Sequence, residues 1–427
     1  MAVRDAGDIR VVVAGAGFAG LNVMERLGRA RRGSGRAIEV TLIDRNSYSM
    51  FQPLLYQVAT AGLTSADVAY PAWAAARKSG AHFRMGEITG VDTDRREVLL
   101  ADGPPVGYDY LVLATGVSAA FFGVAGAAKH SLSLYTRRDA IALRDRLMAE
   151  LERRSGTGDT RELAITVVGG GATGVELAGT LAELRNIALP AAFPEIDQGR
   201  VKVRLIELGP ALLGPFTESL REYARKELLD RGVDVLLGTE IKEADADHVL
   251  ISRHGGEPEP MASDLTVWAA GITAPDWIAR LGLPTGQGGR LVTEPDLRVQ
   301  GQERIFAAGD IALPGGQPLP QLAQPAIQEG RHIAAQIRRL AGSRPTVPFG
   351  YKDKGIMATI GHRSAVVQLP ARVRVRGTIA WLAWLALHLI TLLGHRNRIS
   401  ALVNLSWRYL TWSHGGGVII GDDPPQT

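Results

Sequence analysis

The chain has 427 residues, too many for one ordinary domain, so we expect two domains and an appendage. Its 46% hydrophobic and 22% charged residues are typical of a globular protein, and the absence of cysteine excludes disulfides, thiolate catalysis and cysteine-ligated metal centres. The formal net charge of +4 is not gathered into a lysine-rich tract, which argues against nucleic acid binding and leaves an anionic membrane surface open. Any redox chemistry would need an organic cofactor, and we expect no metal site.

The first apolar run of the chain leads into a glycine-rich turn. Ile9–Ala14 has the composition of a buried strand, and GAGFAG at 15–20, a helical run at 21–30 and a second strand at 38–43 follow it. Gly15 would permit the tight turn, Gly17 would let backbone approach a pyrophosphate, and Gly20 would let helix and strand pack closely. Asp44, which ends the second strand, would accept hydrogen bonds from a ribose. The pattern predicts a dinucleotide site at a helix N-terminus.

An aromatic-rich stretch and a further strand come next. Residues 46–59 are uncharged and contain a proline. Such a stretch could pass over a ligand, but a buried loop is the interpretation that we favour. Residues 110–116 are a predicted strand that ends in an Ala-Thr-Gly turn. A charged helix is predicted at 136–154 and a loop at 155–159.

The opening pattern then recurs. Leu163–Val168 is a predicted strand, GGGATG at 169–174 fills the same glycine template, and a helix is predicted at 175–184. A following strand, Val201–Ile206, ends at Glu207 after a proline-bearing insertion that lengthens the usual spacing. Two complete motifs in one chain are far rarer by chance than one, so we predict two dinucleotide sites.

Two later strands also end in small-residue turns. These predicted segments are residues 265–271 and residues 305–310, and the second ends in Asp310. Ligands of open α/β sheets bind at the carboxyl ends of the strands, which makes Asp310 a candidate binding residue. The structural alternative is that Asp310 caps the next turn.

With both glycine motifs, the turn at 114–116 and FAAGD at 306–310, the chain resembles the two-dinucleotide flavoprotein reductases. FQPLLYQVAT at 51–60, AQPAIQEG at 323–330 and YKDKGIMATIG at 351–361 are similar to one branch, the type II NADH:quinone oxidoreductases. The resemblance implies an α/β fold with two Rossmann-like dinucleotide-binding domains, the second inserted in the first, and a C-terminal amphipathic helical region that anchors the chain to a membrane. The implied domains are 1–122 with 290–345 for FAD, 123–289 for NADH, and 346–427 for the quinone slot and membrane association.

The resemblance also implies the residues of each site. The implied FAD site consists of Gly15, Gly17, Phe18, Ala19, Gly20, Asp44, Arg45, Gln52, Thr115, Gly116, Asp310, Ala323, Gln324 and Lys354. The implied NADH site consists of Gly169, Gly171, Ala172, Thr173, Gly174, Glu176, Glu207 and Gly271. The implied catalytic residues are Glu176, Gln324, Gln328 and Lys354. Departures from the branch are Ser49, where it often has histidine, and Pro325 and Glu329, which replace more usual residues.

A quinone site needs an apolar slot with a few donors at the quinone carbonyls. Gln324 and Gln328 are four residues apart, so they share one face of a helix if Pro325 is its first residue, and both amides can donate. The alternative is ordinary polar surface. Lys354 could place a positive charge near the flavin, or it could be a solvated lysine in a charged turn.

Two acidic residues near the second glycine motif are candidates for contacts with NADH. The dipole of the predicted helix would stabilise the Glu176 carboxylate in any case. The resemblance adds that this glutamate faces the nicotinamide and flavin region, where it would position the substrate or relay a proton. Glu207 would accept a hydrogen bond from a ribose 2′-OH and repel a 2′-phosphate, which favours NADH over NADPH.

Two apolar segments near the C-terminus suggest membrane association. As a helix, residues 379–393 would reach roughly 22 Å, short of the roughly 30 Å hydrocarbon core, so we do not expect them to span a bilayer. Within 397–412 the polar residues recur every three or four positions and form one face. The flanking arginines are at 372, 374, 376, 396 and 398, and the tryptophans are Trp381, Trp384, Trp407 and Trp412. These features indicate a helix pair in a membrane interface, and the alternative is a dimer interface or a helical cap on the core.

The sequence thus predicts an enzyme that transfers a hydride from NADH to FAD and then reduces a membrane quinone by two electrons, without proton pumping. The first apolar run is too short for a signal peptide, so we expect a peripheral, monotopic protein on the cytoplasmic side of the cell membrane, as a homodimer. The alternatives are a soluble NADH reductase of another acceptor and a redox-sensing flavoprotein.

Overall fold

The computed structural model describes residues 8–28, 37–316 and 318–411, apart from the side chains of residues 410 and 411. The last tryptophan of the predicted membrane face, Trp412, lies outside the described residues, as do the side chains of Leu410 and Thr411. Within the described ranges no helix combines the length and the hydropathy that a membrane crossing requires.

The helices vary from single turns to nearly six turns. In chain order they are α1 (Phe18–Gly28), α2 (Leu55–Ala59), α3 (Ala72–Ser79), α4 (Ala127–His130), α5 (Arg137–Thr157), α6 (Ala172–Glu183), α7 (Leu189–Ala192), α8 (Glu218–Asp230), α9 (Asp276–Ala279), α10 (Ala323–Ala341), α11 (Thr378–Thr391) and α12 (His395–Thr411). A π-turn at Leu184–Ala188 continues α6, and 3₁₀ turns occur at Gln52–Leu54, Gln198–Arg200, Gln287–Gly289 and Gly309–Ile311.

The strands are short, as is usual for a chain with many strand-to-helix turns. In chain order they are β1 (Ile9–Ala14), β2 (Ile38–Asp44), β3 (Tyr48–Met50), β4 (Ala69–Pro71), β5 (His82–Met85), β6 (Ile88–Asp92), β7 (Glu97–Leu100), β8 (Val106–Gly107), β9 (Tyr110–Leu113), β10 (Ser118–Ala119), β11 (Ser131–Ser133), β12 (Leu163–Val168), β13 (Val201–Ile206), β14 (Val233–Leu236), β15 (Thr239–Ala244), β16 (His248–Arg253), β17 (Glu259–Ala262), β18 (Leu265–Trp268), β19 (Ile272–Thr273), β20 (Leu291–Thr293), β21 (Ile305–Ala307), β22 (Ala312–Pro314), β23 (Ile356–Gly361), β24 (Ser364–Gln368) and β25 (Arg374–Arg376).

The chain forms two compact units. The first unit consists of the described parts of Met1–Ser49, Tyr70–Ser118 and Ile272–Asp353. The second unit consists of Met50–Ala69, Ala119–Gly271 and the described part of Lys354–Thr427. The domain limits predicted from the sequence stay a prediction, because compactness of the chain trace and cofactor binding are different criteria.

A parallel sheet in the order β21-β9-β1-β2-β5 forms the centre of the first unit. Its central strand is apolar throughout except for Arg10, and Val11, Val12 and Val13 are at most 1% exposed. Near-continuous burial is what a parallel strand between two helical layers requires. Because all five strands run the same way, the turns that follow β1, β9 and β21 lie at one edge of the sheet.

The second unit repeats this construction in a parallel sheet of the order β11-β18-β12-β13-β14. All six residues of β12 are buried. The strands of this sheet come from residues 131–268, between β9 and β21 of the first sheet along the chain. Two antiparallel sheets, β15-β16-β17 and β23-β24-β25, complete the unit.

Some predicted limits are wrong. The loop predicted at 155–159 is largely helix, since α5 continues to Thr157 and ends at Gly158, which has a left-handed φ of 66°. The helices predicted at 21–30 and 175–184 begin three residues earlier, at Phe18 and Ala172, because the last positions of each glycine motif already form the first helical turn.

Candidate active site

The first glycine turn is fixed by contacts between backbone atoms. Gly15 has a φ of +105°, and a Cβ on it would lie 2.3 Å from the Ala114 carbonyl oxygen. A Cβ on Gly20 would lie 1.9 Å from the Gly15 carbonyl oxygen, so both positions exclude any side chain. A Cβ on Gly17 would meet no atom within 4 Å. Gly17 therefore borders open space at the N-terminus of α1, where helix N–H groups can bind phosphates.

The second glycine turn has the same geometry. Gly169 has a φ of +109°, and a Cβ on it would lie 2.9 Å from the backbone of Ala269. A Cβ on Gly174 would lie 1.8 Å from the Gly169 carbonyl oxygen. Gly171 is the equivalent of Gly17, because a Cβ there would also meet no atom within 4 Å. The N-terminus of α6 is thus a second place where a phosphate can approach backbone.

An acid supports each glycine turn. Asp44 accepts hydrogen bonds from the backbone N–H groups of Ala16 and Asn46, both at 2.7 Å. Glu207 accepts from the backbone N–H groups of Gly170 and Gly209, both at 2.6 Å. Burial raises the pKa of Asp44, and these N–H groups oppose that shift. Each acid therefore holds its turn in place, and its carboxylate oxygens retain lone pairs for a ribose hydroxyl.

Two polar atoms in the first unit indicate that its sheet edge fits a ligand. Thr115 Oγ1 and Gln324 Oε1 are buried, and neither has a hydrogen-bond partner among the described residues. Buried polar atoms in folded proteins are normally paired. Thr115 and Gly116 follow β9, and Asp310 follows the adjacent strand β21, so these predicted FAD residues lie at one sheet edge. The residues present fit a bound dinucleotide at this edge.

Helix α10 carries both predicted quinone-site glutamines, and Ala323 is its first residue. Pro325 is therefore the third helical residue rather than the first. This position is still within the first turn, where proline removes no helical hydrogen bond. The Gln328 amide is bound to the backbone of Lys352, since Nε2 donates to the Lys352 carbonyl at 2.9 Å and Oε1 accepts from its N–H at 3.0 Å. Gln328 thus holds the segment before Lys354, and its contact with quinone stays a prediction.

Glu176 is a buried acid in the second unit. It accepts a hydrogen bond at 3.2 Å from the backbone N–H of Thr359 in β23. Burial raises its pKa to about 8, although this N–H and the Trp384 side chain act in the opposite direction. A carboxyl group with a pKa near 8 can hold or release a proton at physiological pH, which suits a proton carrier.

An aromatic cluster near Glu176 was not predicted from the sequence. The rings of Tyr56 and Trp384 are 6.1 Å apart, and Trp384 stacks on His388 at 4.0 Å. Because a carbonyl oxygen can only accept, His388 Nδ1 carries a proton and donates it to the Trp384 carbonyl at 2.7 Å. Burial lowers the pKa of His388 to about 4, so the ring is neutral at physiological pH. In the sequence, a histidine within an apolar helical segment was the feature that could have indicated this cluster.

The other predicted residues are placed as follows. Phe18, Ala19 and Gly20 form the first turn of α1, and Ala172, Thr173 and Gly174 form that of α6. Arg45 and Lys354 are exposed, Gln52 begins a 3₁₀ turn, and Gly271 follows β18 with a φ of +74°. Gln324 and Gln328 belong to the first unit, and Glu176 and Lys354 to the second. The catalytic set as a whole stays a prediction.

The fold and these paired sites define a class, the oxidoreductases that bind two dinucleotides. Residues 9–330 match the model of the pyridine nucleotide-disulphide oxidoreductase family. The chain is 34% identical over 425 residues to the type II NADH:quinone oxidoreductase Ndh of Mycobacterium tuberculosis, covering 95% of this chain and 89% of that protein. It is 31% identical over 370 residues to the type II NADH:quinone oxidoreductase of Staphylococcus aureus, covering 84% and 89% respectively.

A solved structure of Plasmodium falciparum NDH2 in complex with NADH has the same fold, with a TM-score of 0.87 at 19% identity, covering 96% of this chain and 99% of that one. The chain belongs to the type II NADH:quinone oxidoreductases, and its cofactors are FAD and NADH. The resemblance inferred from the sequence motifs is confirmed.

Proposed function

We propose that this chain oxidises NADH in its second unit and reduces a membrane quinone with electrons that pass through FAD in its first unit. The observation that carries the proposal is the repeated turn: Gly17 and Gly171 each border open space at a helix N-terminus, beside an acid that is bound to the turn. FAD supplies a two-electron acceptor, which the side chains of a protein without cysteine do not provide.

The first unit would hold FAD at the edge formed by the ends of β1, β9 and β21. The N–H groups of α1 would bind the phosphates, and Asp44 would accept from the ribose. Thr115 Oγ1 and Gln324 Oε1, which are among the buried polar atoms without a partner in the described residues, would hydrogen-bond to the cofactor. Gln324 would also reach the quinone, as the family resemblance implies.

The second unit would hold NADH at the N-terminus of α6. The carboxylate of Glu207 would accept from the ribose 2′-OH and disfavour NADPH. Glu176 would hold a proton close to the nicotinamide, where its raised pKa allows both protonation states. Lys354 would place a positive charge where electrons accumulate.

Membrane association would occur through α11 and α12. The outward side of α12 is apolar, with Ile399, Leu402, Val403 and Trp407 exposed by 63%, 49%, 57% and 59% respectively. Contiguous apolar side chains on a surface mark a contact with protein or lipid. Arginines at 372, 374 and 376 precede α11, and Arg396 and Arg398 lie in the first turn of α12, which favours an anionic lipid surface. The cytoplasmic side and the homodimer stay predictions.

Two glycine substitutions test the cofactor assignment. Gly17→Ala and Gly171→Ala each add a methyl group where the protein has open space, so neither should lower the thermal stability of the protein. We expect Gly17→Ala to weaken FAD retention by about tenfold or more, and Gly171→Ala to raise the KM for NADH similarly with FAD retention unchanged. Each variant is the control for the other.

The measurements are the flavin absorbance of the purified protein and its turnover with a soluble quinone analogue, using NADH and NADPH in parallel. Absence of flavin in the wild-type protein, or a preference for NADPH, would contradict the proposal. Loss of FAD from Gly171→Ala together with retention in Gly17→Ala would reverse the assignment of the two units.

A further inference from the structure

Glu329 is a buried acid that the proposed mechanism does not use. It lies in α10, is 2% exposed, and its Oε2 accepts a hydrogen bond at 2.5 Å from the backbone N–H of Gly309. Gly309 has a φ of +74° and begins the turn that carries Asp310. Glu329 therefore attaches the end of β21 to α10.

This carboxyl group lies beside the first turn of α1. A Cβ on Gly330 would lie 2.4 Å from the Ala19 carbonyl oxygen, so α10 touches the backbone of α1 at this level. A Cβ on Gly309 would lie 3.4 Å from the Ala19 side chain. Gly309 and Gly330, the neighbours of Glu329 in space and in sequence, thus both contact the first turn of the helix whose N-terminus would bind the FAD phosphates.

Glu329 also lines a small cavity in the first unit. The cavity is bordered by Arg290, Asp310, Gln321, Pro325 and Glu329, together with adjoining small and apolar residues. Asp310 is itself a predicted FAD residue. A ligand group that enters this cavity would meet the Glu329 carboxyl.

The surroundings disfavour a charged carboxylate at Glu329. Burial raises its pKa to about 7, and the charge of Asp310 acts in the same direction. The Gly309 N–H and the charge of Arg290 lower it without cancelling the effect of burial. Among the described residues, Asp310 and Arg290 are the charged groups that shift this pKa. The phosphates of a dinucleotide would add negative charge and raise the pKa further.

We propose that Glu329 binds FAD as a neutral carboxylic acid, with its O–H donated to the cofactor and its other oxygen accepting from Gly309, so that FAD binding takes up one proton. The proposal rests on the assignment of FAD to the first unit. In this protonated form the carboxyl supplies a hydrogen-bond donor to a phosphate or ribityl oxygen, whereas the ionised form would repel the phosphates. Above neutral pH, Glu329 is ionised in the FAD-free protein, so FAD binding is weakened because it requires this group to be protonated.

The test is FAD release from the full-length holoenzyme, diluted into buffers between pH 6 and pH 9 and followed by the fluorescence of free flavin. We expect the Kd for FAD to rise by up to about tenfold per pH unit above the pKa of this acid. Glu329→Gln keeps an oxygen for Gly309 and an N–H donor for the cofactor, so its Kd should not vary with pH in this range. Glu303→Gln, at an exposed position of the same unit, should behave as the wild type.

The outcomes separate this inference from the proposed function. A pH-dependent Kd that persists unchanged in Glu329→Gln overturns the inference, as does a wild-type Kd that is constant across the range. Both results leave FAD binding intact. If the wild-type protein holds no FAD at any pH, the proposed function fails as well.

Discussion

The Glu176 carboxyl group lies under β23, with its hydrogen bond to the Thr359 N–H on one side and the ring of Trp384 on another. Burial of such an acid lowers the stability of the folded protein at a pH where the free acid would be ionised. Unfolded, its pKa is close to the ordinary value of 4.5; folded, it is about 8. The folded protein therefore holds a proton that the unfolded chain releases between these pH values, and stability that is present below pH 4.5 is lost as the pH rises toward 8.

Glu176→Gln should remove this pH dependence. Glutamine has the same shape and no charge to bury, so the variant should gain stability over the wild type as the pH rises, by on the order of 5 °C in Tm at pH 8 and little at pH 5. The measurement is thermal unfolding of the NADH-free holoenzyme between pH 5 and pH 9. Glu257→Gln, in an exposed loop, is the control, and equal curves for both variants would show that Glu176 is ionised in the folded protein.

At the level of elements, the crossing of α1 and α10 decides the geometry of the first unit. The two helices touch at Ala19 and Gly330, where no side chain separates the backbones. The crossing brings together the N-terminus of α1, Gln324 in the first turn of α10, and the Glu329 hydrogen bond to Gly309. A small shift at this contact would move all three.

Gly330→Ala should therefore destabilise the protein. The new Cβ would lie 2.4 Å from the Ala19 carbonyl oxygen, which is backbone and cannot rotate away, so the helices must separate. We expect a loss of about 1–3 kcal/mol in the free energy of unfolding, with weaker FAD retention. Gly342→Ala, just beyond the end of the same helix, is the matched control, because its Cβ would lie 3.6 Å from the nearest atom, the Arg338 carbonyl oxygen. Equal unfolding midpoints for the two variants would contradict this account.

The sequence predicted the glycine turns correctly because their geometry is local. Gly15 and Gly20 are separated by one turn, and only glycine fits the contact between them. Contacts between segments that are distant in the chain could not be predicted from the sequence. In the sequence, Glu329 looks like a surface acid. Its hydrogen bond with Gly309, 20 residues away in the chain, exists only in the folded protein. Likewise the Lys352 backbone that binds the Gln328 amide is 24 residues away, so the hydrogen bonds of that glutamine could not be predicted.

On the scale of the whole molecule, α12 has its polar face turned inward. Asp67 in the loop after α2 accepts from Ser400 Oγ at 2.6 Å and from Asn404 Nδ2 at 2.9 Å, and Arg408 donates to Gln57 Oε1 at 2.8 Å. The sequence correctly separated a polar from an apolar face but could not say which one would face the protein. Hydrogen bonds hold the helix to the rest of the second unit, and the apolar side chains Ile399, Leu402 and Val403 stay exposed.

Replacing that apolar face should release the protein from membranes. In the triple variant Ile399→Ser, Leu402→Ser and Val403→Ser, three outward side chains that are 63%, 49% and 57% exposed are made polar, so folding and turnover with a soluble quinone analogue should be retained. Binding to vesicles of mixed neutral and anionic lipid should fall by about tenfold or more in a sedimentation assay, since each buried apolar side chain contributes about 1.5–3 kcal/mol. The basic border predicts that added salt weakens the binding of the wild type.

Leu229→Ser is the matched control for this variant, because Leu229 is a 41% exposed leucine in α8 of the same unit, away from the C-terminal helices along the chain. It should bind vesicles as the wild type does. The competing explanation is that the apolar face pairs two copies of the chain. In that case the triple substitution would halve the mass in solution, measured by sedimentation velocity in detergent, while the wild type would remain unbound to vesicles. Vesicle binding lost without a change in mass supports the lipid surface as the partner of α12.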